Sequence, residues 1–150
     1  MSRNVESKFD KPKNFFPLPN EIFSLGLHRS EIIIYSYLMR CENRDTYQCY
    51  PSYKTIAKNV GLAPNTIRKY VRQLEEHGLI RTEHTMITTK DGRKRNGSLL
   101  YTILPFQNAV DLYHARQIAE LERTSAQQKA QAKAEKLGVQ FIPADDGQSA

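Results

Sequence analysis

Asn65, Thr66, Arg68, Lys69 and Arg72 are the side chains in this chain best suited to reading a nucleic-acid duplex. An Asn amide pairs bidentately with adenine and an Arg guanidinium with guanine, while Thr offers a hydroxyl to phosphate and a methyl to thymine. Ile67, Val71 and Leu74 recur between them at helical spacing, so the polar set falls on the opposite face of one helix. Pro64 begins that helix, where its fixed φ helps and its missing N–H costs nothing. Its first two turns would then enter a major groove, bringing Pro64, Asn65, Thr66, Arg68 and Lys69 to base edges, with Arg72 one turn later. Downstream, Lys90, Arg93, Lys94 and Arg95 crowd six positions, a cationic tip suited to phosphate backbone or minor groove. Upstream, Ser52 at a helix start leaves N–H groups that would seat a phosphate, with Tyr53 and Lys54 beside them.

Three elements must position these groups. PSYKTIAKNVG predicts a helix over Tyr53–Val60, with Ile56, Ala57 and Val60 inward, Gly61 as its stop and Leu62 anchoring the turn. LAPNTIRKYVRQLEEHG predicts a second helix whose buried stripe is Ile67, either Tyr70 or Val71, and Leu74, closed by a left-handed Gly78. LIRTEHTMITTKDGRKRNGSLLYTILP predicts a hairpin. Leu79, Ile80, Met86 and Ile87 lie on its first strand, and Leu99, Leu100, Tyr101 and Ile103 on its second. Asp91-Gly92 and Asn96-Gly97 are both turn dipeptides, which predicts a loop longer than two residues.

Before this unit, Ser30 is positioned to cap a helix from Glu31 to about Glu42, whose apolar residues cover more than one stripe and imply contacts on two sides. NRDTYQCYPS reads as a turn and a short extended segment. In FFPLPNEIFSLGL, Asn20 can cap a short helical turn, and Phe15, Phe16, Leu18, Ile22, Phe23 and Leu25 are expected to clasp the core. From Asn108 to about Leu137 the sequence lacks Gly and Pro and is rich in Ala, Gln, Glu and Lys, predicting a helix ~45 Å long. Val110, Tyr113, Ile118 and Leu121 are expected to dock its first half, leaving the second half exposed, partly frayed or paired with another chain. The fold class is therefore mainly α with a small β component. A winged helix-turn-helix over residues 15–105, with a three-helix core and a β-hairpin wing, precedes a long helix over 106–137. Residues 1–14 read as a loose arm and 138–150 as a weakly structured tail.

The net charge of +6 is concentrated: residues 52–97 carry ten Lys and Arg against four Asp and Glu. Such a module suits a polyanion. No apolar run approaches the ~18 residues of a membrane span, and the N-terminus lacks a secretory stretch, so a cytoplasmic location is expected. Cys41 and Cys49 have no ligand spacing around them, which argues against a metal site or structural disulfide. His28, His77, His84 and His114 are scattered without carboxylate pairing, and His77 has a sufficient role near a helix C-terminus. Neither an enzyme nor a cofactor is expected.

PSYKTIAKNVGLAPNTIRKYVRQLEEHGLIRTE resembles the winged helix-turn-helix domains common in Firmicutes, including small proteins of mobile elements. It is also similar to the N-terminal domains of plasmid and phage replication initiators, and NTIRKYVRQLEEHGLI is similar to the recognition helix of GntR-type repressors. The resemblance covers about Phe15 to Pro105 and implies that Asn65, Thr66 and Arg68 stand at base- and phosphate-contacting positions. Two residues depart from the pattern. Ala63 replaces the usual Ser or Thr cap, whose loss costs about 1 kcal/mol, and Pro64 stands where the GntR type often has Arg.

The expected function is a DNA-binding transcriptional regulator or replication-associated factor of a mobile element, with double-stranded DNA as partner. The alternative is a protein–protein adaptor of primosome or replication type. In that case the winged domain and C-terminal helix would hold another replication or transcription protein. The same helix could join two copies into a homodimer.

Overall fold

The computed structural model describes residues 15–138. The expected arm over 1–14 and the expected tail beyond Gly138 lie outside them. Two units separate between Leu112 and Tyr113.

The first unit opens with a 3₁₀ turn, Asn20–Ser24, followed by α1, Arg29–Cys41. Asn20 lies inside the turn, and Pro19 occupies the cap position without a side-chain bond. Helix α1 starts two residues earlier than the sequence suggests, so Ser30 falls in its first turn and His28 takes the cap. The Ser30 N–H donates to His28 Nδ1 at 3.1 Å, and the His28 N–H donates to Glu31 Oε1 at 3.3 Å. An imidazole nitrogen thus does what a hydroxyl was expected to do. Of the apolar clasp, Ile22 and Leu25 are buried and Leu18 is half-buried, whereas Phe15, Phe16 and Phe23 are exposed.

Helix α2, Tyr53–Val60, begins at Ser52, whose Oγ accepts from the Thr55 N–H at 3.1 Å. Gly61, at φ 73°, closes it, and only residues 61–63 separate it from α3, Pro64–Glu76. That short turn is the helix-turn-helix connection. Ile56 is the buried residue of α2, with Ala57 and Val60 half-buried. Ile67, Val71 and Leu74 form the buried stripe of α3, and Tyr70 is half-buried. Gly78 has φ 75°, as the left-handed stop requires. Helices α1, α2 and α3 pack on one another around Ile34, Leu38, Ile56, Ile67 and Leu74, each fully buried.

The expected hairpin divides into two pieces. Near the core, β1 (Gln48–Cys49), β5 (Leu100–Ile103) and β2 (Ile80–Glu83) form an antiparallel sheet in the order β1-β5-β2. Its register pairs Cys49 with Tyr101 and Thr82 with Tyr101. The distal strands, β3 (Met86–Thr88) and β4 (Lys94–Asn96), pair only with each other. Among the described residues no other element pairs with this outer ribbon, and Met86 and Ile87 on it are exposed. Asp91-Gly92 lies in its terminal loop with Gly92 at φ 74°, whereas Asn96-Gly97 ends β4. Gly97 is needed there because a Cβ would run into Thr85 Oγ1.

Helix α4, Phe106–Lys136, starts at the residue where the sequence divides the chain, two residues ahead of the stretch rich in helix formers that begins at Asn108. Ala109 is buried, and Ala109 and Leu112 pass close to Gly78. The second unit comprises the remainder of α4. Ile118 and Leu121, expected to dock, are 56% and 69% exposed, and only Tyr113 and Ala134 are half-buried along that stretch. No helix among the described residues is long and apolar enough to cross a membrane.

Candidate nucleic-acid interface

With Ile67, Val71 and Leu74 turned into the core, Asn65, Arg68, Lys69 and Arg72 emerge exposed from the other side of α3. Pro64 is exposed at its start, and Thr66 is half-buried. Ala63 has the extended backbone of a cap residue, φ −69° and ψ 149°, but contributes no side-chain bond. The first-turn N–H groups of α3 therefore lack a side-chain cap at the end that carries Asn65 and Thr66.

Two aromatic contacts shape the cations on this face. The Arg68 guanidinium carbon lies 5.7 Å from the centroid of the Tyr53 ring, and Lys69 Nζ lies 5.2 Å from that of Tyr70. Such cation–π contacts are worth about 0.5–1 kcal/mol when exposed. They narrow the arcs through which the two charged heads can move. Burial raises the Tyr53 phenol above its ordinary range, a shift that the nearby Arg68 charge opposes.

Arg68 and Arg72 also line an open cleft of about 590 Å³ between α3 and the β-ribbon. Ser52 and Tyr53 flank it from the start of α2, Asn96 from the end of β4, and His84 and Ser98 from the segments that join the ribbon to the core sheet. Glu75 spans its floor: the Thr82 N–H donates to Glu75 Oε1 at 2.9 Å, and the Thr82 hydroxyl donates to the same oxygen. This carboxylate links the last turn of α3 to β2, fixing the helix against the strand that leads into the wing.

At its other side α3 is fastened to α1. Tyr70 stacks on His28 with ring centroids 4.8 Å apart and planes at 11°. The His77 Nδ1–H donates to Glu31 Oε2 at 2.7 Å, and Glu31 is 2% exposed. His77 caps the C-terminus of α3, but its identified partner is this buried carboxylate, a bond that helix-dipole reasoning does not reveal.

The wing tip is organised by its backbone. The Thr89 N–H donates to Arg93 O at 2.8 Å, and the Gly92 N–H donates to Thr89 O at 2.9 Å. Lys90, Arg93, Lys94 and Arg95 are all exposed. Thr88 opposes Lys94 and Ile87 opposes Arg95, so strand alternation sends Lys94 and Arg95 to opposite faces of the ribbon.

Of the residues singled out from sequence, Ser52, Tyr53, Arg68 and Arg72 share the cleft. Pro64, Asn65, Thr66 and Lys69 continue along α3, Lys54 is exposed on α2, and the four tip cations stand on the distal ribbon. His84, Asn96 and Ser98 were not anticipated. Asn96 is placed by its pairing with Met86, His84 and Ser98 by the connections beside the ribbon, and in sequence only the Asn96-Gly97 turn dipeptide marks a special backbone there.

Residues 25–80 match the model of a family described as "Helix-turn-helix domain". No curated protein matches the chain. Among solved structures, the chain is similar to a possible transcriptional regulator from Methanosarcina mazei Go1, at 13% identity and a TM-score of 0.49. That match covers 72% of this chain and 82% of the other. It is also similar to wild-type ZitR of Lactococcus lactis in complex with DNA, at 16% identity and a TM-score of 0.35, covering 83% of this chain and 73% of that one. The family match thus covers residues 25–80, which hold α1, α2 and α3, and the β-ribbon and the long C-terminal helix lie beyond it.

Proposed function

We propose that this protein is a DNA-binding regulator that places α3 in the major groove and lays its wing on the adjacent backbone or minor groove. The observation that carries the reading is the exposed face of α3: Asn65, Arg68, Lys69 and Arg72 stand outward on a helix whose other face is buried. Asn65 and Arg68 are the base readers, with Thr66 beside them. Ser52, Tyr53, Lys54, Lys69 and Arg72 hold register on phosphates, and Lys90, Arg93, Lys94 and Arg95 supply the wing contact. Within this class, the resemblance to mobile-element proteins and replication initiators favours a regulatory or replication-associated role in such an element. The chemistry is binding rather than catalysis.

Selection of bound sequences from a random duplex pool, followed by anisotropy titrations, tests the reading. A Kd that weakens with salt and is lost in the Arg68→Ala/Lys69→Ala double variant supports it. Equal affinity of that variant and the parent chain sinks it.

The adaptor reading draws on one observation, the exposure of Ile118 and Leu121, three residues apart on α4. In this reading α4 joins a second copy or another protein. Mass measurement by light scattering on the Ile118→Glu/Leu121→Glu variant decides about self-association: an unchanged mass removes the homodimer.

A further inference from the structure

A second cavity, of about 390 Å³, lies away from the cationic cleft, where α1 meets the junction of β5 and α4. Its size is at the lower end of small-molecule sites, about 300–1,000 Å³. Most of its wall is apolar, and three aromatic residues, Tyr35, Tyr47 and Phe106, contribute to it. Tyr35 and Phe106 sit with ring centroids 6.5 Å apart and planes at 39°. Into this setting α1 ends at Glu42, whose Oε2 is buried without a hydrogen-bond partner among the described residues. A buried carboxylate oxygen left unpaired is costly, which makes it an informative place to look for a missing partner.

Tyr47 adds an independent observation. It is the non-glycine residue with positive φ among the described residues, at 58°. Two backbone bonds hold it there: the Tyr47 N–H donates to Asn43 O at 2.7 Å, and the Ile103 N–H donates to Tyr47 O at 2.8 Å. A left-handed tyrosine costs of order 1 kcal/mol, and such strain gathers at ligand-binding positions. Here it places an exposed aromatic residue at the rim of the cavity.

We propose that this cavity binds a small organic ammonium ion with an apolar or aromatic body, its N–H donating to Glu42 Oε2 while the cation rests among Tyr35, Tyr47 and Phe106. Aromatic rings beside a carboxylate favour a cation over an anion or a neutral molecule. The ring quadrupoles attract positive charge, and the carboxylate accepts the ammonium's hydrogen bond and balances its charge. Burial holds the Glu42 carboxyl above its ordinary value despite Arg44, in keeping with a charge that lacks a close partner. The site is separate from α3 and the wing, and does not depend on DNA binding.

The test is an amide NMR titration of the full chain near pH 7 with 2-phenylethylammonium, 2-phenylethanol and 3-phenylpropionate. The ammonium should give saturable shifts centred on Glu42, Tyr47 and Phe106. The alcohol should bind at least about tenfold more weakly, and the carboxylate more weakly still. Glu42→Gln should weaken the ammonium at least about tenfold and abolish its advantage over the alcohol. Tyr47→Asn, which tolerates the left-handed backbone while removing the ring, should weaken it independently. Equal binding of ammonium and alcohol overturns the proposal. So does undiminished binding by either variant, or the absence of saturable shifts up to about 10 mM.

Discussion

The strand register of the wing makes a prediction about how it meets DNA. Eight exposed cations are available: Lys54, Arg68, Lys69 and Arg72 on the helices, and Lys90, Arg93, Lys94 and Arg95 on the ribbon. Each phosphate neutralised adds about 0.9 to the slope of log Kd against log salt, or about 3.5-fold between 50 and 200 mM. Lys94 and Arg95 point to opposite faces, so both contribute only if the ribbon enters a groove and meets a strand on each side. Changing all four tip cations to Gln should then lower the slope by about 3.6, shrinking the salt effect about 150-fold over that range. A ribbon lying flat along one strand uses one face, and the reduction should be nearer 2.7. The single variants Lys94→Gln and Arg95→Gln separate the cases: both lose about 0.9 in the groove, one alone when flat. Anisotropy of a labelled duplex, with urea midpoints confirming unchanged stability, provides the measurement. A quadruple variant that keeps the parental slope refutes any role for the wing.

Other predictions follow from local geometry. Ala63→Ser should stabilise the domain by about 1 kcal/mol, because Ala63 already has cap geometry and a Ser Oγ could accept from the Thr66 N–H; an unmoved urea midpoint refutes it. Gly97→Ala should cost about 1–3 kcal/mol, since the new Cβ meets Thr85 Oγ1 while the Gly97 N–H is tied to Thr85 O at 2.7 Å; amide exchange at Gly97 should quicken, and parental protection contradicts the clash. Glu42 sets a pH dependence. Its native carboxyl lies above the ordinary 4.5 and so holds a proton that the unfolded chain releases. Its contribution to stability must therefore fall as pH rises from about 4.5 through the native value, then level off. Subtracting the Glu42→Gln stability curve from the parental one isolates this fall, and a rise over the same interval contradicts it.

The helices were legible in sequence because each carries its own punctuation. Ser52 and Gly61 bracket α2, and Pro64 and Gly78 bracket α3, while the Ile67–Val71–Leu74 stripe fixes which side faces out. What escaped notice depends on partners distant in the chain. His28 displaces Ser30 as cap while its ring is stacked on Tyr70, more than forty residues away in sequence. Met86 and Ile87 lie on a strand as their residue types suggest, but their exposure follows from a ribbon that pairs with no other strand among the described residues. Ile118 and Leu121 have helical spacing, but spacing alone does not supply a surface to bury them. The same holds for the interface. Its charged residues announce themselves, whereas the Thr82–Glu75 link and the Arg68–Tyr53 contact exist only once strand and helix have met.

Tyr70 against His28 and His77 against Glu31 anchor α3 through residues interleaved with, but distinct from, its outward-facing ones. Asn65 and Arg72 can consequently be rewritten without touching these two anchors, while changes at Arg68 and Lys69 give up only their exposed cation–π contacts. On the proposed reading, a designer seeking a new target sequence would vary Asn65 and Arg68 and leave Ile67, Tyr70, Val71, Leu74 and His77 alone. Transplanting an entire foreign helix would discard the docking along with the old vocabulary.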